Sequence, residues 1–456
     1  MNSTDVDIIG GGISGLSALH FIKRLKPHLS IALFESEQRL GGTLATDRVD
    51  GYSFDRGPNG FLDREPLTLQ LCHELGLSDQ LERARDNVSN RFILRGGKLR
   101  SVPMSPQSFL TSDVLSLSGK LRVFCEPFVP RKTSTDDESI YDFGKRRIGR
   151  EAADYLIQPM VSGIFGGMAE RLSLKSCFPI MTEMESEYGS LTKAMIARGK
   201  KARADGKKKG SPGGPTGWLT SFHGGLDAVI MRLDERYAKS IIKGAKAISV
   251  QRANDRFAIA FANGESHSAG AVIVATPSYS AGDMVRPMSD ALANGLEGIP
   301  YAPISVVCLG YDAGAVRRNL DGFGFLVPQK EKRRIMGSIW TSSIFRDRAP
   351  EHKVQFRTMI GGDGDRDSVN LSNDALQQIV CKELGDIIGL SKDPDMVRIY
   401  RLERGIPQYV IGHADRIERI ENELQKLGKL YLTGNAYYGV GLNDCIKQSH
   451  RVAQGL

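Results

Sequence analysis

The spacing of apolar and polar residues predicts which parts of this 456-residue chain form strands and helices. Short apolar runs, typical of buried parallel strands, occur at 6–9, 31–34, 271–275 and 429–433. Apolar residues recur at helical spacing at 16–25, 66–75, 374–390 and over most of 110–195. Residues 90–100 are typical of a hairpin with a Gly-Gly turn, and several strand-like runs between 304 and 361 indicate a mixed or antiparallel sheet. We therefore predict an α/β (overall α+β) protein whose first sheet is completed near the C-terminus.

The first 35 residues have the order strand, glycine turn, helix, strand, acid. In the turn, Gly10, Gly12 and Gly15 have the G-x-G-x-x-G spacing, and the second strand ends at Glu35. The glycines allow a tight turn, close approach of a pyrophosphate, and close packing of helix against sheet, while the acid can accept hydrogen bonds from a ribose. This order predicts a dinucleotide-binding unit.

Further glycines follow this unit. Gly41-Gly42 comes soon after Glu35, and Gly57-Pro58-Asn59-Gly60 comes next. A nicotinamide cofactor needs no second doublet at this place, whereas a longer dinucleotide needs more backbone close to it. The pattern favours FAD over NAD.

Composition limits the function classes further. The chain is 41% hydrophobic and 25% charged, which is typical of a globular protein of two or three domains. Its six scattered cysteines predict free thiols, and no apolar run is long enough to cross a bilayer. The formal net charge of +8 suits anionic partners in general, and residues 197–217, rich in Lys, Gly and Pro, are predicted to form a flexible basic loop.

Motifs along nearly the whole chain resemble those of the amine-oxidase-type flavoproteins. Within that superfamily, six segments resemble the protoporphyrinogen oxidases of haem biosynthesis: Gly57-Pro58-Asn59-Gly60, Asn90-Arg91-Phe92, Val161 to Gly167, Gly322 to Pro328, Ile406 to Tyr409 and Gly439 to Ile446. The resemblance implies three interleaved parts. A Rossmann-like FAD-binding domain would comprise 1–60, 222–297 and 405–456, a mixed-sheet substrate domain 61–91 and 298–404, and a helical, membrane-associating domain 92–221.

The resemblance also implies non-covalently bound FAD. Ile248 would meet the adenine through its backbone, and Asn435 with Val440 to Leu442 would lie beside the isoalloxazine, where a helix N-terminus favours the negative charge of reduced flavin. The implied FAD contacts are Gly10, Gly11, Gly12, Ile13, Ser14, Gly15, Glu35, Ser36, Thr43, Gly57, Pro58, Asn59, Gly60, Ile248, Asn435, Val440, Gly441 and Leu442.

On the substrate side, Arg91 matches an arginine that pairs with a propionate in the family. Phe323 and Leu326 match residues that sandwich a pyrrole ring, and Met359 matches a residue across the pocket. Asn59 stands where some relatives carry arginine, which leaves a second carboxylate contact unassigned. No general acid–base pair is predicted, because hydride transfer to flavin needs chiefly alignment in a dry pocket. No metal site is predicted, because the cysteines form no C-x-x-C pair and have no close His partner.

The implied activity is oxidation of protoporphyrinogen IX to protoporphyrin IX. Six electrons would pass in three steps to FAD and then to molecular oxygen, with release of hydrogen peroxide. Coproporphyrinogen III as substrate, another superfamily activity such as amine oxidation or carotenoid desaturation, and a non-catalytic chaperone on the same fold are the alternatives. We expect a cytoplasmic protein, peripheral on the inner face of the cell membrane and its anionic surface, with no nucleic-acid partner; a homodimer is left open.

Overall fold

A computed structural model describes residues 3–86, 88, 90–204 and 217–456, and the side chains of 202–204 are outside that description. Nineteen strands lie in these residues: β1 (Ser3–Ile9), β2 (Ile31–Glu35), β3 (Thr46–Val49), β4 (Tyr52–Asp55), β5 (Phe61–Leu62), β6 (Leu81–Arg83), β7 (Asn90–Arg95), β8 (Lys98–Ser101), β9 (Leu219–Phe222), β10 (Ile241–Lys243), β11 (Ala247–Ala253), β12 (Arg256–Phe261), β13 (Ser266–Val274), β14 (Tyr301–Asp312), β15 (Gly322–Leu326), β16 (Ile335–Ile339), β17 (Lys353–Gly361), β18 (Met396–Pro407) and β19 (Leu430–Leu432).

The same residues contain seventeen α-helices, several of them short. They are α1 (Ile13–Leu25), α2 (Pro66–Glu74), α3 (Pro106–Thr111), α4 (Leu117–Phe124), α5 (Ile140–Ile148), α6 (Arg150–Ala152), α7 (Gln158–Phe165), α8 (Leu174–Cys177), α9 (Pro179–Tyr188), α10 (Leu191–Ala204), α11 (Ala228–Tyr237), α12 (Ser278–Val285), α13 (Asp290–Glu297), α14 (Thr341–Ile344), α15 (Asn373–Ile388), α16 (His413–Leu427) and α17 (Leu442–Gly455). Helices α3 to α10 follow one another along residues 106–204, which we call the helical stretch.

The first sheet has the order β10-β2-β1-β13-β12-β11, and β19 also pairs with β13. Strands β1, β2, β13 and β19 pair in parallel, as their apolar runs predict. Apolar residues of α1, α11 and α17 cover one face, and those of α12, α13 and α16 cover the other. Because β19 and α17 come from the end of the chain, the first sheet is completed there, which confirms that prediction.

The second sheet has the order β18-β14-β17-β16-β15-β7-β8 and is antiparallel except where β15 meets β7. Its β7–β8 pair is the predicted hairpin around Gly96-Gly97. One face packs on α15 through residues such as Phe356 and Ile360. The other face meets Tyr52 and Phe54 of β4, so the second sheet lies directly against the glycine-rich segment that follows the first.

The basic segment predicted as a loop differs from the structure at its start. Helix α10 continues to Ala204, because Ala, Lys and Arg are good helix formers and the first proline of the segment is Pro212. The rest of the predicted loop, 205–216, lies outside the described residues.

Candidate functional site

The glycine turn at 10–15 joins β1 to α1 at the carboxyl edge of the first sheet. Gly10 has φ +111°, and a Cβ built on Gly15 would lie 1.9 Å from the Gly10 carbonyl oxygen, so neither position tolerates a side chain. A Cβ on Gly12 would meet none of the described atoms within 4 Å, so the turn is open to the outside there. Ile13 begins α1, and the Ser14 carbonyl accepts a hydrogen bond from Ser449 of α17 at 2.8 Å. The turn is a cradle with free space above the helix N-terminus, where a pyrophosphate fits.

Glu35 is buried at the end of β2 and is held in a fixed orientation. The Gly11 N–H donates to its Oε2 at 2.7 Å, and the exposed Ser36 hydroxyl and the Glu37 N–H donate to its Oε1 at 2.9 Å each. These three hydrogen bonds leave one acceptor site, on Oε2, since a carboxylate can accept about four hydrogen bonds, two at each oxygen. The arrangement suits a ribose diol beside the cradle.

Ile248 lies near the start of β11, and its side chain is 49% exposed. The β11–β12 register shifts between Ala247 and Ser249, so Ile248 has no partner residue in the ladder. The nearby Ala245 N–H donates to the Glu35 carbonyl at 2.8 Å, which ties this segment to the end of β2. A bulge with an unpaired backbone beside Glu35 is a suitable contact for a base.

The second glycine doublet closes over the first turn. The Gly41 N–H donates to the Gly11 carbonyl at 2.8 Å, Gly41 forms a parallel bridge with Gly12, and a Cβ on Gly42 would lie 3.9 Å from the Gly12 Cα. Thr43, which is exposed, follows; its carbonyl would lie 2.3 Å from a Cβ on Gly57. The doublet and the loop at 57–60 therefore extend the backbone surface that begins at the cradle. This surface is longer than a pyrophosphate alone would need.

The loop at 57–60 connects this path to the second sheet. Pro58 is exposed, and the Asn59 Nδ2 is buried with no hydrogen-bond partner in the described structure. A Cβ on Gly60 would meet Leu219 of β9 at 3.0 Å. An orphaned buried amide normally has a partner, so Asn59 offers a donor to a bound group.

The C-terminal glycine segment meets the same loop. Gly441 is the N-cap of α17, Leu442 is buried, and Val440 packs against apolar residues of the helical stretch. The Asn443 Nδ2 donates to the Leu62 carbonyl at 2.8 Å, next to the 57–60 loop. The start of α17 thus lies beside the segment that follows the 57–60 loop, with Asn435 in the loop just before α17.

All four predicted substrate residues lie on strands of the second sheet, namely β7, β15 and β17. Leu326 on β15 and Met359 on β17 are both in register with Gly337 on β16, which stands between them. Gly337 has no side chain, so Leu326 and Met359 flank a bare strip of backbone on one sheet face, and we call this apolar strip the slot. Gly163 of α7 leaves room for Leu326, since a Cβ there would come within 2.8 Å of its Cδ2.

Arg91 and Phe323 form the edge of this face. The β7–β15 register shifts between Gly322 and Phe325, and the Arg91 guanidinium carbon lies 4.9 Å from the Phe323 ring centroid. Arg91 is half-buried, and none of the ion pairs among the described residues involves it. Burial lowers the pKa of its guanidinium, which means that the charge lacks the compensation an anion would give.

Arg357 of β17 is a residue that sequence reasoning missed. Its Nη2 donates to the Gly57 carbonyl at 2.6 Å, and it is two residues from Met359 on the same side of its strand. Burial lowers the pKa of Arg357, and no described carboxylate forms an ion pair with it. The available signal was weak, because residues 353–361 also contain Lys353, Gln355 and Thr358. Arg357 therefore joins the glycine loop at 57–60 to the strand that carries Met359.

The comparisons with known proteins agree with this geometry. A family model described as flavin containing amine oxidoreductase matches residues 13–456. The chain belongs to that family. It is an oxidoreductase, and the predictions of FAD and of a Rossmann-like fold with inserted domains are confirmed.

Relatives within the family carry porphyrinogen names. A coproporphyrinogen III oxidase of Bacillus subtilis is 30% identical over 97% of this chain and 96% of its own length. A chloroplastic protoporphyrinogen oxidase of Oryza sativa subsp. japonica is 31% identical over 99% of this chain and 88% of its own. A crystal structure from Exiguobacterium sp. 255-15, described as that of a suggested protoporphyrinogen oxidase, has a TM-score of 0.84 and 28% identity, covering 100% of this chain and 98% of that one. The resemblance to the porphyrinogen oxidases is confirmed.

Proposed function

We propose that this protein oxidises protoporphyrinogen IX to protoporphyrin IX, in three two-electron steps that use FAD and molecular oxygen. The observation that carries the proposal is the half-buried Arg91, without a carboxylate partner in the described structure, at the edge of an apolar slot. A guanidinium binds a carboxylate bidentately, and the apolar slot suits the macrocycle behind it. Bound FAD supplies the acceptor for a hydride and passes the electrons to oxygen.

The chain's own residues hold and orient both groups. Gly10 to Gly15 would bind the pyrophosphate, Glu35 and Ser36 the ribose, and Ile248 the adenine. Thr43 and the loop at 57–60 would line the middle of the cofactor, and Asn435 with Val440 to Leu442 would face the isoalloxazine. The N-terminus of α17 favours negative charge at that end. Leu326, Met359 and Phe323 exclude water from the ring.

The arrangement of charge favours protoporphyrinogen IX over coproporphyrinogen III. Protoporphyrinogen carries its two propionates on one side of the macrocycle, whereas coproporphyrinogen carries one on each of four rings. Of the two arginines near the proposed slot, Arg357 already donates to the Gly57 carbonyl, which leaves Arg91 at the edge and the apolar side chains of Leu326 and Met359 across from it. A propionate placed against those apolar residues would lose its hydration without gaining a partner.

The test is anaerobic mixing of the holoprotein with each porphyrinogen, followed by admission of oxygen. We expect protoporphyrinogen to bleach the flavin absorbance, and oxygen to restore it with formation of hydrogen peroxide and porphyrin fluorescence. Turnover of coproporphyrinogen alone would reverse the substrate assignment. Bleaching by a monoamine and by neither porphyrinogen would reject the proposed function.

An exposed apolar surface on the helical stretch supports a second proposal, peripheral binding to a membrane. It consists of Leu110, Leu117, Leu121, Phe124 and Phe128, which are 59%, 75%, 57%, 50% and 85% exposed. Leu117, Leu121 and Phe124 are spaced on one face of α4. In the described part of the chain no helix has the length and apolar character to cross a bilayer. Such a surface suits shallow insertion into one leaflet, where an apolar porphyrin product dissolves.

A variant with both Leu117→Glu and Phe128→Glu is expected to bind anionic vesicles about a hundredfold less, because burying one such side chain contributes about 1.5–3 kcal/mol. Co-sedimentation with phosphatidylglycerol vesicles measures the change. Met231→Glu on α11 is the matched control, since Met231 is 57% exposed but lies outside this surface. Wild-type protein that stays in the supernatant at low salt would contradict the membrane proposal.

A further inference from the structure

Tyr409 ends the 406–409 motif, whose role the proposed function leaves open. Its side chain is 1% exposed although it carries a hydroxyl. A buried phenol needs hydrogen-bond partners, and burial here raises the pKa of Tyr409 well above its ordinary value. The hydroxyl is therefore neutral and can both donate and accept.

Both hydrogen bonds of this hydroxyl go to the segment before α17. The hydroxyl donates to the Asn435 carbonyl at 2.6 Å and accepts from the Gly439 N–H at 2.8 Å. One oxygen atom thus bridges two ends of a five-residue loop. Asn435 belongs to the proposed flavin contacts, and Gly439 directly precedes Val440 and Gly441. We call residues 435–439 the flavin loop.

The ring of Tyr409 is itself held in place. It stacks on His413, with ring centroids 4.1 Å apart and planes 12° from parallel. The Nε2 of His413 lies 3.2 Å from the Tyr437 carbonyl, inside the flavin loop. Burial lowers the pKa of His413 to about 4, so its ring is neutral at neutral pH. The pair Tyr409–His413 therefore contacts the flavin loop at three backbone positions.

The backbone around Tyr409 is fixed from the opposite side by the helical stretch. The Ser173 N–H donates to the Tyr409 carbonyl at 2.8 Å, and the Gln408 Nε2 donates to the Phe165 carbonyl at 2.7 Å. A Cβ on Gly167 would lie 2.3 Å from the Gln408 Oε1, so the helical stretch approaches this motif closely. The motif connects that stretch to the flavin loop.

We propose that Tyr409 is a positioning residue for the flavin, whose hydroxyl fixes the loop that carries Asn435 and leads into α17. The proposal rests on the flavin site proposed above. A loop held at both ends by one rigid side chain presents its backbone groups to the ring without loss of entropy on binding. The same contacts connect the C-terminal end of α7 to the flavin loop.

The test compares the flavin of purified wild-type and Tyr409→Phe holoproteins. The phenylalanine removes one oxygen atom, frees the Asn435 carbonyl and leaves the Gly439 N–H unsatisfied. We expect the Kd for FAD, from recovery of flavin fluorescence on dilution, to rise about tenfold, which corresponds to about 1.4 kcal/mol. The visible circular dichroism of bound flavin should change as well, because the ring environment shifts.

Tyr311→Phe is the matched control. Tyr311 is fully buried, and its hydroxyl contacts only the Cys381 Sγ, at 3.7 Å, among described atoms. A merely structural role for Tyr409 would lower thermal stability in both variants and leave the flavin dichroism and Kd unchanged, and that result would overturn the proposal. If Tyr409→Phe does not fold, His413→Leu should shift the same two flavin signals, and unchanged signals would overturn it. None of these measurements uses a porphyrinogen, so failure of the proposed substrate would be seen separately.

Discussion

An Arg91→Ala variant is expected to lose about a hundred- to a thousandfold in kcat/KM for protoporphyrinogen while keeping its flavin. Removing one partner of a buried charge pair costs about 2–5 kcal/mol, and each 1.4 kcal/mol is about a factor of ten. Arg91 is half-buried against the Phe323 ring and has no described carboxylate to pair with, so its charge is available to a propionate. Steady-state oxidation kinetics measure the loss in kcat/KM, and the flavin absorption spectrum shows whether the variant keeps its flavin.

Two further variants make this test specific. Arg91→Lys keeps the charge but loses the bidentate fork, so we expect an intermediate loss of kcat/KM. Arg100→Ala removes an arginine from β8, where it pairs with Asp113, and should leave the kinetics close to wild type. Equal losses in Arg91→Ala and Arg100→Ala would mean that the hairpin as a whole matters, and not a propionate contact.

A Gly12→Ala variant is expected to fold normally but to bind FAD about a hundredfold more weakly. A methyl group on Gly12 would meet no described atom within 4 Å, so the protein without cofactor has room for it. The same space is where the pyrophosphate would approach the backbone, and overpacking of about 1–3 kcal/mol is expected once it is bound. The flavin-to-protein ratio after gel filtration, together with the melting temperature of the apoprotein, measures both effects.

Gly15→Ala should behave in the opposite way. Its Cβ would lie 1.9 Å from the Gly10 carbonyl oxygen, so the apoprotein itself should melt at a lower temperature. Gly385→Ala in α15 is the control, because nothing described lies within 4 Å of that Cβ and alanine favours a helix. If Gly12→Ala destabilises the apoprotein as much as Gly15→Ala does, the cradle is not open in the way proposed.

Long periodic elements and the glycine cradle were predictable from sequence, since their signals are local. The hairpin at 90–101, the parallel return of β13 and the final helix α17 all follow from apolar spacing and turn residues. The glycine cradle was predictable from the G-x-G-x-x-G spacing, because each glycine is required for a separate steric reason.

Features that depend on distant contacts could not be predicted. β5, β6 and β9 contain two to four residues each, too few to show a period, and they form only because they pair with one another. The Leu326–Gly337–Met359 slot depends on the register of three strands, which no local pattern contains. The roles of Arg357 and Tyr409 depend on contacts with the Gly57 and Asn435 carbonyls, which are distant in sequence, so no local pattern predicts them.

The pairing of β19 with β13 has a consequence for folding during synthesis. Val272 to Val274 pair with Leu430 to Leu432. The Ser14 carbonyl accepts a hydrogen bond from the Ser449 hydroxyl, which is 435 residues later in the chain. Contacts so far apart in sequence form slowly, because the loop between them must be ordered first. Before β19 and α17 have been synthesised, the end of β13 lacks its β19 partner. The glycine turn at 10–15 also lacks its contact with α17. An unpaired strand of this kind favours aggregation of the nascent chain until β19 and α17 have been synthesised.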